Sequence, residues 1–334
     1  MYNVGIDIGG TNIKIGLVDE MGKLVAKTKF PFEKKSYEFV CTQMADAVYT
    51  LVKEMQVSAC GLSAKACGDK KTCESIYASM NELINSIGIA VPGSVDAVRG
   101  VVINAYNLDF FNVPLKEEMQ NHFPDIDIYL ANDADAAALA ELHAGVFVGK
   151  QTAVLITIGT GTGGGLIIGG KMHSGGNGRG CELGHMSLRY GGAPCTCGNS
   201  GCIESYCSAT WLKEAGVKAG LSPEKDAVSS GFEADRLIDA KAVIDLAKSG
   251  NKTALAIFDE FVDNLSSAIA SICSLLDPEI VALGGGVSEA GEFLYEPLKV
   301  KVSEKNFFKA DYEIVPAALG NDAGMIGAAF LVSN

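Results

Sequence analysis

Val4-Gly-Ile-Asp-Ile-Gly-Gly-Thr-Asn-Ile-Lys-Ile-Gly-Leu-Val18 is the segment from which the architecture is read. An apolar run reaches Gly9-Gly10, and residues 13–18 then alternate before Asp19-Glu-Met-Gly22, a turn signal. Leu24-Val-Ala-Lys-Thr-Lys-Phe30 completes a strand–turn–strand–turn–strand meander. The same order returns at mid-chain. Residues 153–158 read as a strand, Gly159-Thr-Gly-Thr-Gly-Gly-Gly165 as the turn, 166–169 as a strand, and Gly170-Lys171 turns again. One unit used twice predicts a duplicated α/β fold of two domains around a cleft.

Outward from these segments, Phe39, Met44, Ala47, Val48, Leu51 and Met55 fall at helical spacing over 38–55. The segment 58–74, with Cys60, Cys67 and Cys73, reads as a surface excursion, and 75–85 as a second helix. Residues 87–91 form a strand that runs into Pro92-Gly93. Helical periodicity extends over 236–276, a strand at 280–283 ends in Gly284-Gly-Gly286, and an Ala- and Gly-rich helix closes the chain at 322–332. At about 150 residues per domain, 334 residues make two domains.

Composition excludes several classes. With 48% hydrophobic and 20% charged residues, the chain is neither disordered nor a coiled coil. A net charge of −13 repels phosphate backbones, which excludes a general nucleic-acid binder. No apolar run is long enough for a membrane span, and the opening residues lack the basic and apolar segments of a signal peptide. The expectation is a cytoplasmic, reduced protein whose ten cysteines are free, catalytic or metal-bound.

Glycine is in excess, with 39 residues against a usual share of ~7%. Three glycine turns follow strands, at 9–10, 159–165 and 284–286. Backbone N–H groups in such a turn can converge on a phosphate oxygen, because no Cβ blocks the approach. One such turn is commonly a plain hairpin; three in a duplicated layout favour phosphate binding. Gly159-x-Gly161-x-x-Gly164 matches the dinucleotide fingerprint, but a strand follows it where that site needs a helix. No GxxxxGK[ST] loop is present either. Asp7, at a strand end beside Gly9-Gly10, would repel phosphate unless a cation such as Mg²⁺ lay between them. Lys14 either adds positive charge there or is simply solvated.

Cys195-Thr-Cys197-Gly-Asn-Ser-Gly-Cys202 lies ten residues after His185. Three thiolates and an imidazole satisfy tetrahedral Zn²⁺, and a closed four-ligand site would be structural. Free thiols and a nucleic-acid zinc ribbon are the alternatives, the second disfavoured by the few Lys and Arg nearby. The other seven cysteines (41, 60, 67, 73, 181, 207 and 273) show no ligand spacing and read mostly as small core residues. Asp133 follows an apolar stretch and enters a helix, either as its N-cap or as a general base on a hydroxyl. Glu182 and Glu204 flank the cysteines and meet at one site if metal folds 185–202; otherwise they are surface glutamates.

Taken together, these motifs resemble the ROK family of sugar kinases and related repressors, within the actin/hexokinase/Hsp70-type ATPase superfamily, over nearly the whole chain. Asp7-Ile-Gly-Gly-Thr-Asn-Ile-Lys14 is similar to the first phosphate motif and 159–165 to the second. Leu283-Gly-Gly-Gly-Val287 with Leu319-Gly-Asn-Asp-Ala-Gly324 resembles the adenosine region. Glu182-Leu-Gly-His185 followed by Cys195-x-Cys197-Gly-x-x-Gly-Cys202-x-Glu204 resembles the zinc and sugar signature.

The resemblance implies an actin-like (ribonuclease H-like) fold, with a small domain of 1–130 plus 320–334 and a large domain of 131–319 carrying a zinc knuckle at 185–202. It implies ATP held by Asp7, Gly9, Gly10, Thr11, Asn12, Lys14, Gly159, Thr160, Gly161, Gly163, Gly284, Gly285 and Gly286, with Mg²⁺ near Asp7. Zinc would be bound by His185, Cys195, Cys197 and Cys202. A hexose would be held by Gly93, Asn107, Asn132, Asp133, Glu182, His185 and Glu204, with Asp133 as catalytic base. His185 would serve both zinc and sugar through its two ring nitrogens. The implied reaction is phosphorylation of a hexose C6 hydroxyl by ATP, with glucose the expected sugar and N-acetylmannosamine, N-acetylglucosamine, mannose, allose or fructose the alternatives. Two departures stand out: the 58–74 excursion is longer than the family norm, and Tyr106 stands where many relatives have Pro or Asn. A sugar-sensing repressor is the runner-up; it would need a helix-turn-helix before a phosphate motif that here begins at residue 7. A homodimer or dimer of dimers, without nucleic acid or membrane, is the expected assembly.

Overall fold

The computed structural model describes residues 1–59, 80, 82–222 and 238–333. The excursion beyond residue 59, with Cys60, Cys67 and Cys73, and most of the helix read over 75–85 lie outside the described residues.

The meander forms as read. Strands β1 (Tyr2–Ile8), β2 (Asn12–Val18) and β3 (Leu24–Pro31) pair antiparallel, in a register that sets Ile6 opposite Ile15 and Asp7 opposite Lys14. Strand β4 (Ile84–Val91) adds parallel to β1. Strands β5 (Ser94–Asp96), β6 (Val101–Ala105) and β7 (Phe110–Val113) make a separate antiparallel sheet that the sequence reading did not anticipate. Strand β8 (Asp127–Asn132) then joins β4, and the first sheet has the order β3-β2-β1-β4-β8. Its central strands are apolar on both faces because both are covered, whereas edge strand β3 alternates between half-buried and exposed residues. Helix α1 (Tyr37–Ala59) lays Val40, Met44, Val48, Leu51 and Val52 into the core shared with Val4, Ile6, Ile15 and Ile89. Helix α2 (Leu115–His122) contributes Leu115 and Met119 to the same core.

The second sheet repeats this plan. Strands β9 (Thr152–Ile158), β10 (Thr162–Ile168) and β11 (Lys171–Met172) make the meander, and β12 (Ile280–Gly284) and β13 (Ile314–Pro316) are the parallel additions, in the order β11-β10-β9-β12-β13. One expectation is corrected. The glycine turn covers only 159–161, and Gly163, Gly164 and Gly165 lie inside β10. Gly164 and Gly165 serve close packing there: a Cβ on Gly164 would press into Leu183, and one on Gly165 into Ala138.

Helix α3 (Asp133–Ala144) follows β8, and α4 (Glu204–Cys207) and α5 (Ala209–Lys218) follow the cysteine cluster. The long helical periodicity divides into α6 (Ala240–Lys248) and α7 (Lys252–Leu276). Asn251 breaks it by capping α7, its side chain accepting from the N–H groups of Thr253 and Ala254. Helix α8 (Glu292–Lys305) precedes β13, and the closing helix α9 spans only Ala323–Ala329, with 3₁₀ turns on either side.

The chain divides into two compact units, one of Met1–Gly149, Gly165–Cys181 and Asn321–Asn334, the other of Lys150–Gly164 and Glu182–Gly320. Residues 131–149 and 165–181 therefore pack with the first unit, although the division at 130/131 assigns them to the large domain. The reason is the seat between α3 and α9. Half of helix α3 is alanine, and α9 lies so near that a Cβ on Gly327 would strike the carbonyl oxygen of Ala136. Ala90, Ala136 and Ala328 fill the seam. Among the described residues, no helix is long and apolar enough to cross a membrane.

Candidate active site

In the first unit, β1 delivers Asp7 and the turn Gly9-Gly10 to one end of the sheet. Lys14, opposite Asp7 on β2, pairs with it at 3.1 Å and donates a second bond to the carbonyl of Asn321 at 2.6 Å. Lys14 is thus an anchored cation rather than a solvated one, and the Asp7 side chain is 16% exposed. Thr11 and Gly10 are exposed, Gly9 and Asn12 half-buried, and the Gly9 N–H closes the turn on the Asn12 carbonyl at 2.9 Å. Asn107 approaches this turn: a Cβ on Gly10 would touch its amide.

The capping role read for Asp133 falls one residue earlier. The cap is Asn132, whose Oδ1 accepts from Ala134 N at 2.8 Å and Asp135 N at 3.3 Å. Its Nδ2 donates to the Gly93 carbonyl at 2.9 Å, which ties the Pro92-Gly93 turn to the start of α3. Asp133 stands at the first helical position, half-buried, with Oδ1 accepting from Ala134 N at 2.9 Å. A helix N-terminus favours a negative side chain at that point.

In the second unit, the turn at 159–161 borders a cavity of about 560 Å³. Ile158, Ile244, Val287 and Ala290 supply apolar wall, Lys213, Lys241 and Asp245 supply charge, and Gly159, Thr160 and Gly286 line the turns at its mouth. No atom stands within 4 Å of where a Cβ on Gly159 or Gly286 would project, so both turns face open space, while the Gly159 N–H itself closes its turn on the Gly161 carbonyl at 2.9 Å. Gly284 and Gly285 lead out of β12 into this wall. Lys241 is held by Asp245 at 2.6 Å. Thr210, Lys213, Lys241, Ile244 and Asp245 escaped the sequence reading; they lie on ordinary helical faces and carry no motif.

His185, Cys195, Cys197 and Cys202 come together with their ligand atoms within 4.8 Å of one another. Cys195 Sγ lies 3.6 Å from His185 Nδ1, and Cys197 Sγ lies 3.7 Å from Cys202 Sγ. Zinc–sulfur bonds of about 2.3 Å place tetrahedral sulfurs about 3.8 Å apart, so the donor set fits that ion. Burial and then the neighbouring thiols push Cys202 up to about 12. Burial also opposes ionisation of Cys195, but hydrogen bonds from Cys197, Cys202 and His185 outweigh it and bring that thiol to about 7. The first thiolate forms readily and a further one resists, which is the charge pattern a dication relieves. Short bridges, Ser187 with Cys202 and Pro194 with Ser200, frame the knuckle. Of the remaining described cysteines, Cys41, Cys207 and Cys273 are buried and Cys181 is half-buried.

Glu182 and Glu204 converge beside the knuckle. The protein around Glu182 raises its pKa, His185 offsets part of this and Glu204 adds to it, although the residue as a whole stays exposed and reachable by a ligand. Glu204 Oε2 accepts from Thr162 N at 2.9 Å, and a Cβ on Gly161 would collide with the same carboxylate. His185 turns Nδ1 to the thiols, leaving Nε2 for another partner.

A model of the ROK family matches residues 70–334. The chain is 34% identical to the glucokinase of Thermotoga maritima over 98% of its own length and 96% of that protein. It is 32% identical to the glucokinase of Halalkalibacterium halodurans, over 99% of its length and 94% of the relative. A ROK family glucokinase from Streptomyces griseus, solved in complex with glucose and AMPPNP, is similar with a TM-score of 0.76 and 30% identity, covering 99% of each chain.

Proposed function

The chain belongs to the ROK family, with its duplicated actin-like ATPase fold, and from that premise we propose that it is an ATP-dependent hexokinase that phosphorylates the C6 hydroxyl of glucose. One observation carries the reading. The carboxylate of Glu204 accepts from the N–H of Thr162, directly after the 159–161 turn that borders the 560 Å³ cavity, so hydroxyl-binding groups and a phosphate turn adjoin on the second unit.

ATP occupies that cavity, its base against Ile244, Val287 and Ala290 and its phosphates against the 159–161 turn. Glu182, Glu204 and His185 Nε2 take sugar hydroxyls, and the family likeness gives Gly93, Asn107 and Asn132 the same role. Asp133 accepts the C6 proton late in the reaction, since an alcohol is far less acidic than a carboxylic acid. Catalysis rests on positioning and on stabilising developing charge. Asp7 suits a site of one carboxylate plus waters, and the Mg²⁺ it would hold neutralises charge on the phosphates. Lys14 keeps Asp7 oriented. His185, Cys195, Cys197 and Cys202 would hold zinc, which contributes folding energy at a closed four-ligand site.

The test is an ATP-coupled assay over glucose, mannose, N-acetylglucosamine and N-acetylmannosamine. The highest kcat/KM is expected for glucose. A preference for an N-acetylhexosamine would overturn the choice of sugar, and absence of turnover with every hexose would overturn the kinase reading.

A further inference from the structure

Thr162 has no place in the sugar or nucleotide contacts above, yet three segments meet on it. It ends the glycine turn, begins β10 and is 5% exposed. Its N–H donates to Glu204 Oε2 at 2.9 Å, and its Oγ1 donates to the Cys207 carbonyl at 3.0 Å. On another side, a Cβ on Gly184 would strike the Thr162 carbonyl oxygen, so the residue before His185 lies directly against it. The rest of the turn is strapped to the same helical segment: Ala209 N donates to Gly159 O at 2.8 Å and Thr210 Oγ1 to Thr160 O at 2.6 Å. Glu204 Oε1 also receives Thr196 Oγ1 at 3.4 Å, from between two of the clustered cysteines. Both arms of the knuckle therefore end on the turn, the His185 arm through Gly184 and the Cys202 arm through Glu204 and Cys207.

A glycine turn has little conformational preference of its own. Its N–H groups converge on a phosphate only if bonds from outside the turn hold them, and affinity gained this way is a saving in ordering cost. We infer that Thr162 is a positioning residue through which the Cys/His knuckle holds the 159–161 turn in its nucleotide-binding geometry. With the knuckle closed, segment 202–210 has a fixed end, and its bonds to Gly159, Thr160 and Thr162 hold the turn. With the knuckle open, that end is free and the turn relaxes. The inference rests on the reading of 159–161 as a phosphate turn.

The experiment is calorimetric titration of the full-length chain with Mg²⁺–AMPPNP and, separately, with glucose. Wild type, Thr162→Val and Thr162→Ser are compared zinc-loaded and after chelation and dialysis. Amide exchange over 158–164 is followed in each. Thr162→Val keeps the side-chain shape but orphans the buried Cys207 carbonyl, which is expected to weaken AMPPNP about tenfold. Glucose affinity stays within about twofold in that variant, and Thr162→Ser, which retains the hydroxyl, restores nucleotide binding. Chelation weakens AMPPNP and speeds exchange at 159–162 in wild type, and by clearly less in Thr162→Val, because the Thr162–Cys207 strap that the knuckle supports is already gone. Wild-type nucleotide affinity in Thr162→Val, a parallel loss of glucose and AMPPNP affinity, or equal loss on chelation in both proteins would overturn the inference. Failure of zinc-loaded wild type to bind AMPPNP would instead remove the phosphate-turn reading, and the inference with it.

Discussion

Asp133 stands in the first turn of α3 with its backbone held by the neighbouring cap. Asn132 takes the capping bonds and the link to Gly93, and the Asp133 carboxylate accepts from Ala134 N through Oδ1. Replacing it by asparagine preserves volume and removes the proton acceptor. Asp133→Asn is expected to lower kcat by about 10²–10⁴-fold while glucose affinity, measured by calorimetry, changes only a few-fold. Full turnover in that variant would remove Asp133 from the mechanism. The choice between cap and base was open in the sequence because the helix start shifts by one residue, and the shift is set by a bond to Gly93, 39 positions away. Lys14 was equally open until its bond to Asn321, 307 positions away, showed it anchored.

At the level of elements, the knuckle and the α3–α9 seat make distinct predictions. Three thiols and an imidazole within 4.8 Å should bind one zinc per chain, measurable by metal analysis. Chelation should release it and lower Tm, since a structural zinc site contributes folding energy directly. Cys197→Ser should do the same without a chelator. On α3, His143 stacks on Phe330 with ring centroids 4.2 Å apart, and burial lowers its pKa below the ordinary 6.5. A proton therefore binds the unfolded chain more readily than the folded one. The stability that accompanies the neutral ring is present above 6.5 and is lost as pH falls through that value toward the lower folded one. His143→Phe should flatten the fall in Tm over this window, read by thermal melts at a series of pH values; an unchanged slope would assign the dependence to other groups. The glycine turns show the limit of reading elements locally. Seven residues at 159–165 look like one turn, but only 159–161 turn, because the later glycines make room in β10 for neighbours such as Leu183.

For the whole molecule, 40 acidic against 27 basic residues leave a net charge of −13. Self-repulsion of that size is screened by salt, so Tm should rise between about 10 mM and 150 mM ionic strength, checked by scanning fluorimetry. The acidity does not conflict with the proposed nucleotide binding, because Lys213 and Lys241 place positive charge locally at the cavity. The duplicated meander, the glycine turns and the Cys/His knuckle were legible in the chain by itself. Each is written in short-range spacing: alternation makes a strand, glycine permits a turn, and ligand intervals match a tetrahedral ion. Tertiary structure alone decided that Glu204 reaches Thr162 across 42 positions, that Asn132 rather than Asp133 caps α3, and that Ile244, Lys213 and Lys241 line one cavity. Such contacts join residues far apart along the chain. They have no local period to betray them, and only the packing of complete elements brings them together.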